Sequence, residues 1–341
     1  MSTSPFKAYN ANFAAITGPA PTLDCLLQVD EFPFAHEAGV FLAATDELLI
    51  TSNQYPDPVT NVKKVQISRV VLSLDRRTAE RHDVDCDAIQ MGNGGVNYNN
   101  DKEVLFCAQG SMTQPSGLFA METKPPYNAR EVITTFLGRP FNSVNDVVVQ
   151  RDSGRIWFTD PSYGHEQGYR PRPRLPSQVY CYVPDTDTIR AVADGFGHPN
   201  GLCFSPDEKI LYLTDTDWIH GDGTTDDSHV SSIVQLLMNR YAFDVVYYSG
   251  EPFLTNRRLF AMADTGIPDG IKCDMAGNVY SGCGDGINVW SPGGVLLGKV
   301  LVEGGAANFC FGRDGELFIL NETRLWRLQL GPGIKGAILG I

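Results

Sequence analysis

The chain has 341 residues, 43% of them apolar, and its 27 Lys and Arg against 40 Asp and Glu give a formal net charge of -13. The apolar share is ample for a core, and the acidic balance argues against nucleic acid and against anionic membrane, which both need clustered Lys and Arg. Metal cations and neutral or cationic small molecules stay open as partners.

The first alternating hairpin runs from Val40-Phe41-Leu42 to Leu49-Ile50-Thr51, and the second from Val96-Asn97-Tyr98 to Val104-Leu105-Phe106. The third gives the fullest form of a recurring phrase. Asn145-Asp146 opens Val147-Val148-Val149, Ser153-Gly154 turns the chain, and Ile156-Trp157-Phe158-Thr159-Asp160 returns. Asn200-Gly201 opens the fourth hairpin, which closes on Leu211-Tyr212-Leu213-Thr214-Asp215; Asp269-Gly270 opens the fifth, which closes on Val279-Tyr280-Ser281-Gly282. The sixth joins Phe309-Cys310-Phe311 to Leu317-Phe318-Ile319. Period-two alternation around Asp- and Gly-rich turns is the mark of β-hairpins. Their spacing of roughly forty to seventy residues fits propeller blades of ~40–50 residues carrying loop insertions.

Shorter pieces such as Val65-Gln66-Ile67, Val179-Tyr180-Cys181-Tyr182-Val183 and Ile287-Asn288-Val289-Trp290 supply further strands, and no Pro- or Ser-rich linker divides the chain. The expectation is an all-β, six-bladed β-propeller over residues 1–341, with 1–30 an N-terminal extension closing on the ring. Residues 218–241 read as an insertion. There an acidic, Gly-rich loop precedes Val230, Ile233, Val234, Leu237 and Tyr241 at helix-like spacing, with Asp226 or Asp227 as cap. A lid, an oligomer contact and a surface excursion are all open for it.

Met1 to Lys7 lacks the uninterrupted apolar core of a secretory signal, and nowhere do about twenty apolar residues run together, so a cytoplasmic protein is expected. Eight cysteines are scattered singly, five of them (Cys107, Cys181, Cys203, Cys273, Cys310) in predicted strands, which suits buried free thiols better than disulfides. The glycosylation sequon at Asn321 is discounted for the same reason of compartment. The Gly331, Gly333, Gly336 spacing spells a dinucleotide fingerprint, but too few residues follow it for the helix that motif requires.

Neither a Gly-x-Ser-x-Gly elbow nor a His-Glu-x-x-His zinc helix occurs. What remains is a set of oxygen donors at the openings of hairpins: Glu37, Asn145, Asn200 and Asp269. The innermost strands of a propeller line its central channel, so these positions converge at one mouth. Two carboxylates and two amides make a hard shell suited to calcium, with magnesium, manganese or zinc also open. A single Asn before Asp or Gly is as readily an Asx-turn residue; the case rests on the same residue class recurring at the same place in the phrase. Asp160 and Asp215, which close outgoing strands, are expected to bond turn amides; His36 or His198 could line the mouth, against a structural role in the loop for each.

Several phrases in order resemble the gluconolactonase and senescence-marker-protein (regucalcin) family: Phe141-Asn142-Ser143-Val144-Asn145-Asp146, Phe158-Thr159-Asp160-Pro161-Ser162-Tyr163-Gly164, His198-Pro199-Asn200-Gly201, Gly266-Ile267-Pro268-Asp269-Gly270 and Asn308-Phe309-Cys310-Phe311-Gly312. The resemblance implies a six-bladed propeller with a divalent metal in its central channel, held by Glu37, Asn145, Asn200 and Asp269, and hydrolysis of a small-molecule lactone. Ala38-Gly39 stands where the family usually has Gly-Pro. On this reading Asp269 is the general base, Glu37 or metal-bound hydroxide the alternative, and Asn145 helps orient substrate. Phosphotriester hydrolysis on the same site, a non-catalytic calcium-binding propeller, and a ring-forming or isomerising enzyme are the other readings. Oligomeric state is not legible.

Overall fold

A strand that alternates buries one face; a strand packed between two neighbouring sheets buries both. The six inner strands are of the second kind. In the computed structural model, which describes residues 4–217 and 239–341, they are Glu37–Leu42, Gly92–Tyr98, Val147–Val149, Pro199–Phe204, Ile271–Cys273 and Asn308–Phe311. Side chains along Glu37–Leu42 and Pro199–Phe204 are buried without interruption, whereas the outermost strand of the first sheet, Ala79–Val84, is partly exposed along most of its length. Each inner strand starts an antiparallel sheet of four or five strands, and among the described residues these sheets form a six-bladed β-propeller. The six hairpins read from the sequence are the inner pairs of its blades.

Outer strands show less in local sequence. The fourth strand of blade 6 is Thr22–Gln28, paired with Arg324–Gln329, so the two ends of the chain complete one sheet. Phe6–Ala8 adds a fifth strand to blade 5 beside Leu296–Leu301. Between them Phe13 and Ile16 pack into the core shared by blades 5 and 6.

Residues 331–341 cross the channel at the far end of the inner strands. Ala337 N donates to Cys273 O at 2.8 Å, and Met275 N to Lys335 O at 2.8 Å. Gly336 belongs to this crossing, since a side chain there would collide with the Phe311 ring. No helix follows the Gly331, Gly333, Gly336 spacing.

Inner strands approach closely enough that some positions admit no Cβ. One at Gly201 would stand 2.6 Å from Asp269 O of the next blade. Gly201→Ala is therefore expected to cost roughly 1–3 kcal/mol, as overpacking does, read as a lowered denaturant midpoint with an unchanged slope.

Two expectations change. Blade 2 opens at Gly92, not Val96. Tyr241, counted at helix spacing, lies in the strand Asn239–Tyr248; residues 218–238 of the insertion read over 218–241 lie outside the described residues. All eight cysteines are free and six are buried, with Cys203 and Cys273 sulfurs 3.7 Å apart. Asn321 is buried and donates to Gly305 O at 2.7 Å. No described helix is long and apolar enough to cross a membrane.

Candidate active site at the propeller hub

A regular strand would send successive side chains alternately into the two neighbouring blades. At the hub the register is broken instead. In blade 1 Glu37 pairs with Thr51 and Val40 with Leu49; in blade 2 Gly92 pairs with Ala108 and Gly95 with Phe106; in blade 4 Pro199 pairs with Asp215 and Leu202 with Leu213. Each inner strand carries one residue more than its partner at the same place, a β-bulge of the sort that re-aims a side chain. The bulges hold or adjoin Glu37, Asn93 and Asn200. Ala38, inside the first, has φ 65°, a strained value for a residue with a Cβ.

Threonines on second strands fix the openings of the next blade. Thr51 Oγ1 donates to Asn93 O at 3.1 Å, Thr159 Oγ1 to Asn200 O at 2.9 Å and Thr214 Oγ1 to Asp269 O at 2.8 Å. Asp160 accepts from Asn142 N and Ser143 N at 3.0 and 2.8 Å, and Asp215 from His198 N at 2.9 Å, so both bond the turns that lead into their blades.

Glu37, Asn145, Asn200 and Asp269 line one cavity of about 460 Å³ together with His36 and Asn93. The four oxygen donors picked out at the hairpin openings thus line the same cavity. Oxygens of Glu37 and Asp269 and a ring nitrogen of His36 lie within 4.8 Å of one another. Asn308 Nδ2 donates to Glu37 Oε2 at 2.5 Å. His36 Nδ1 lies 2.7 Å from Glu322 Oε1, and Glu322 Oε2 accepts from Asn53 Nδ2 at 3.2 Å. His198 does not line the cavity; it stacks on Tyr163, with centroids 4.9 Å apart, and meets Glu166 Oε1 at 2.8 Å. Tyr163, held by Thr216, forms the wall in its place.

Charge is crowded here. Burial pushes the Glu37 carboxyl above its ordinary value and the neighbouring Asp269 pushes it further. Burial raises Asp269 as well, against the pull of His36. Burial alone would lower the His36 imidazole, but Glu322, Glu37 and Asp269 carry it up to about 9. Asn145 Oδ1 is buried with no hydrogen-bond partner among the described residues. An orphaned acceptor beside two crowded carboxylates costs free energy as it stands, and a hard cation would relieve both. The donor set fits such an ion.

Asn93, Asn308 and Glu322 were not singled out from the sequence as site residues. Asn93-Gly94 repeats the Asn-Gly of the fourth hairpin, and its alternating run begins three residues later, as it does after Glu37. Asn308→Ala would remove the side-chain amide that donates to Glu37 and leave the Ala38 N–H at 3.4 Å as its remaining amide donor. It is expected to weaken metal binding or activity ~10–100-fold, the usual cost of losing a residue that orients a ligand, read by calorimetric titration of the metal-stripped protein.

The sequence profile of the SMP-30/Gluconolactonase/LRE-like region matches residues 62–218. Lactonohydrolase oryH of Aspergillus oryzae is 35% identical across 94% of this chain and 80% of its own length. A gluconolactonase of Zymomonas mobilis is 28% identical over 68% of this chain and 61% of its own length. Among solved structures, a gluconolactonase from Xanthomonas campestris superposes with a TM-score of 0.73 at 28% identity, covering 96% of each chain. The chain belongs to the SMP-30/gluconolactonase/LRE-like family.

Proposed function

We propose that the protein is a metal-dependent lactone hydrolase working at the hub, with Glu37, Asn145, Asn200 and Asp269 holding one divalent cation. The observation that carries this is the convergence of those four residues on one cavity, where the buried Asn145 oxygen has no hydrogen-bond partner among the described residues. Oxygen donors only, two of them neutral, favour calcium over magnesium, manganese or zinc. When bound, such an ion polarises an acyl carbonyl and acidifies water.

The chain's own residues do the rest. Asp269 takes the proton of the attacking water as general base, with Glu37 beside it as the alternative. Thr214 fixes the backbone from which Asp269 projects. Asn145 and Asn93 present amides to the substrate's polar edge, and Tyr163 closes the wall that keeps the ring in place. Water adds to the acyl carbon, the ring C–O bond breaks, and the proton passes to the departing alkoxide, giving a hydroxy acid.

A panel of δ-lactones beside paraoxon, with product masses, tests the reading. A gain of one water on lactones, lost on chelation, is expected. Tight calcium binding with no lactone turnover would make the protein a binding propeller; turnover of paraoxon alone would make it a phosphotriesterase.

A further inference from the structure

The hub cavity continues beyond its own walls. Val65, Met91, Gln167 and Tyr169 line it and also line a second cavity of about 710 Å³ running outward beside blade 1 toward blade 2. Each volume by itself lies in the ~300–1,000 Å³ range of small-ligand sites. Together they exceed what one lactone ring fills.

The outer groove carries an apolar strip between polar edges, which include Gln66, Asp85, Asp87, Gln90, Ser111 and Thr113. Ile67, Val84, Ile89 and Met91, all buried, form its floor. Ile67 and Val84 are cross-strand partners at one end of blade 1's outer pair, and Ile89 and Met91 lie on the connection to blade 2. Val62 and Met112 stand on its lips with 65% and 63% of their surface exposed. The lysines at the rim are engaged: Lys64 pairs with Asp57 at 2.8 Å, and Lys63 Nζ donates to Gln167 O at 3.0 Å, tying the loop of blade 1 to that of blade 3. Tyr169, anchored through its hydroxyl to Gln109, stands at the junction of the two cavities.

We infer that the substrate is a lactone bearing an extended apolar substituent, with its ring at the hub and its tail in the groove beside blade 1. The inference rests on the lactonase reading. An alkyl chain laid over Ile67, Val84 and Ile89 would meet an apolar strip and remove the exposed lips Val62 and Met112 from water, whereas hydroxyls lying over that strip would find no partner on it.

The test is a series of δ-lactones on the full chain, with side chains lengthened from methyl to decyl and glucono-δ-lactone as the polar comparison. The expected kcat/KM rises about two- to fourfold per added methylene, the factor that burial of a CH2 gives, and the methyl lactone outruns glucono-δ-lactone. Met112→Asp changes an exposed side chain, so folding is spared. It should cut the decyl-to-methyl ratio of kcat/KM at least tenfold. Turnover of lactones with a flat or falling chain-length series, or a ratio untouched by Met112→Asp, overturns the tail groove and leaves the lactonase standing. No turnover of any lactone overturns both.

Discussion

Asp269→Asn is expected to lower kcat/KM for the best lactone by 10²–10⁴-fold, the range that a positioned general base supplies. The exchange keeps the shape of the side chain and leaves the backbone held by Thr214 Oγ1. It removes the proton acceptor and one of the two carboxylates at the hub. Stability should move the other way in the metal-free protein, because the burial cost of Asp269 and its repulsion of Glu37 both disappear. Activity lost while the metal-free melting temperature holds or rises marks a catalytic group. Loss of both together would mark a merely structural one.

Removing the cation should abolish hydrolysis, and restoring calcium should recover it. At a hundred times its dissociation constant the ion stabilises the fold by ~2.7 kcal/mol, a shift of several degrees in melting temperature. The pH dependence has a definite sign. Glu37 and Asp269 titrate above their ordinary values in the folded state, so the metal-free fold binds more protons than the unfolded chain. Their favourable contribution is complete below the ordinary carboxylate range and is lost as pH rises through the raised folded values. Metal-free stability should therefore fall between pH 5 and pH 8, while apparent metal affinity rises because fewer protons must be displaced. Thermal melts with and without calcium at pH 6 and pH 8 measure both. A calcium shift larger at pH 6 than at pH 8 would contradict the assignment of these carboxylates.

The inner pairs of all six blades were legible because a hairpin is local: its alternation and its turn lie within about twenty residues. The closure of blade 6 was not, since Thr22–Gln28 meets Arg324–Gln329 only once the ring has formed. Glu37, Asn145, Asn200 and Asp269 could be picked out because each opens an alternating run with an oxygen donor. Asn93 stands three residues before Val96 as Glu37 does before Val40, and Asn308 opens the sixth run directly, so the same signal was present for both; that Asn308 bonds Glu37 shows only in space. For His36 a place at the mouth and a structural role in the loop were both open in the sequence; its orientation by Glu322, 286 positions away, needed the fold. The groove has walls from blade 1, the connection to blade 2, a loop of blade 2 and a loop of blade 3, and no single stretch of sequence carries its outline.

Anomalous diffraction from crystals of the protein soaked with calcium or manganese tests the central claim most directly. It should show a single peak at the hub touching oxygens of Glu37, Asn145, Asn200 and Asp269. A peak that leaves out the residues of any of blades 1, 3, 4 and 5, or lies away from the channel, would contradict the account.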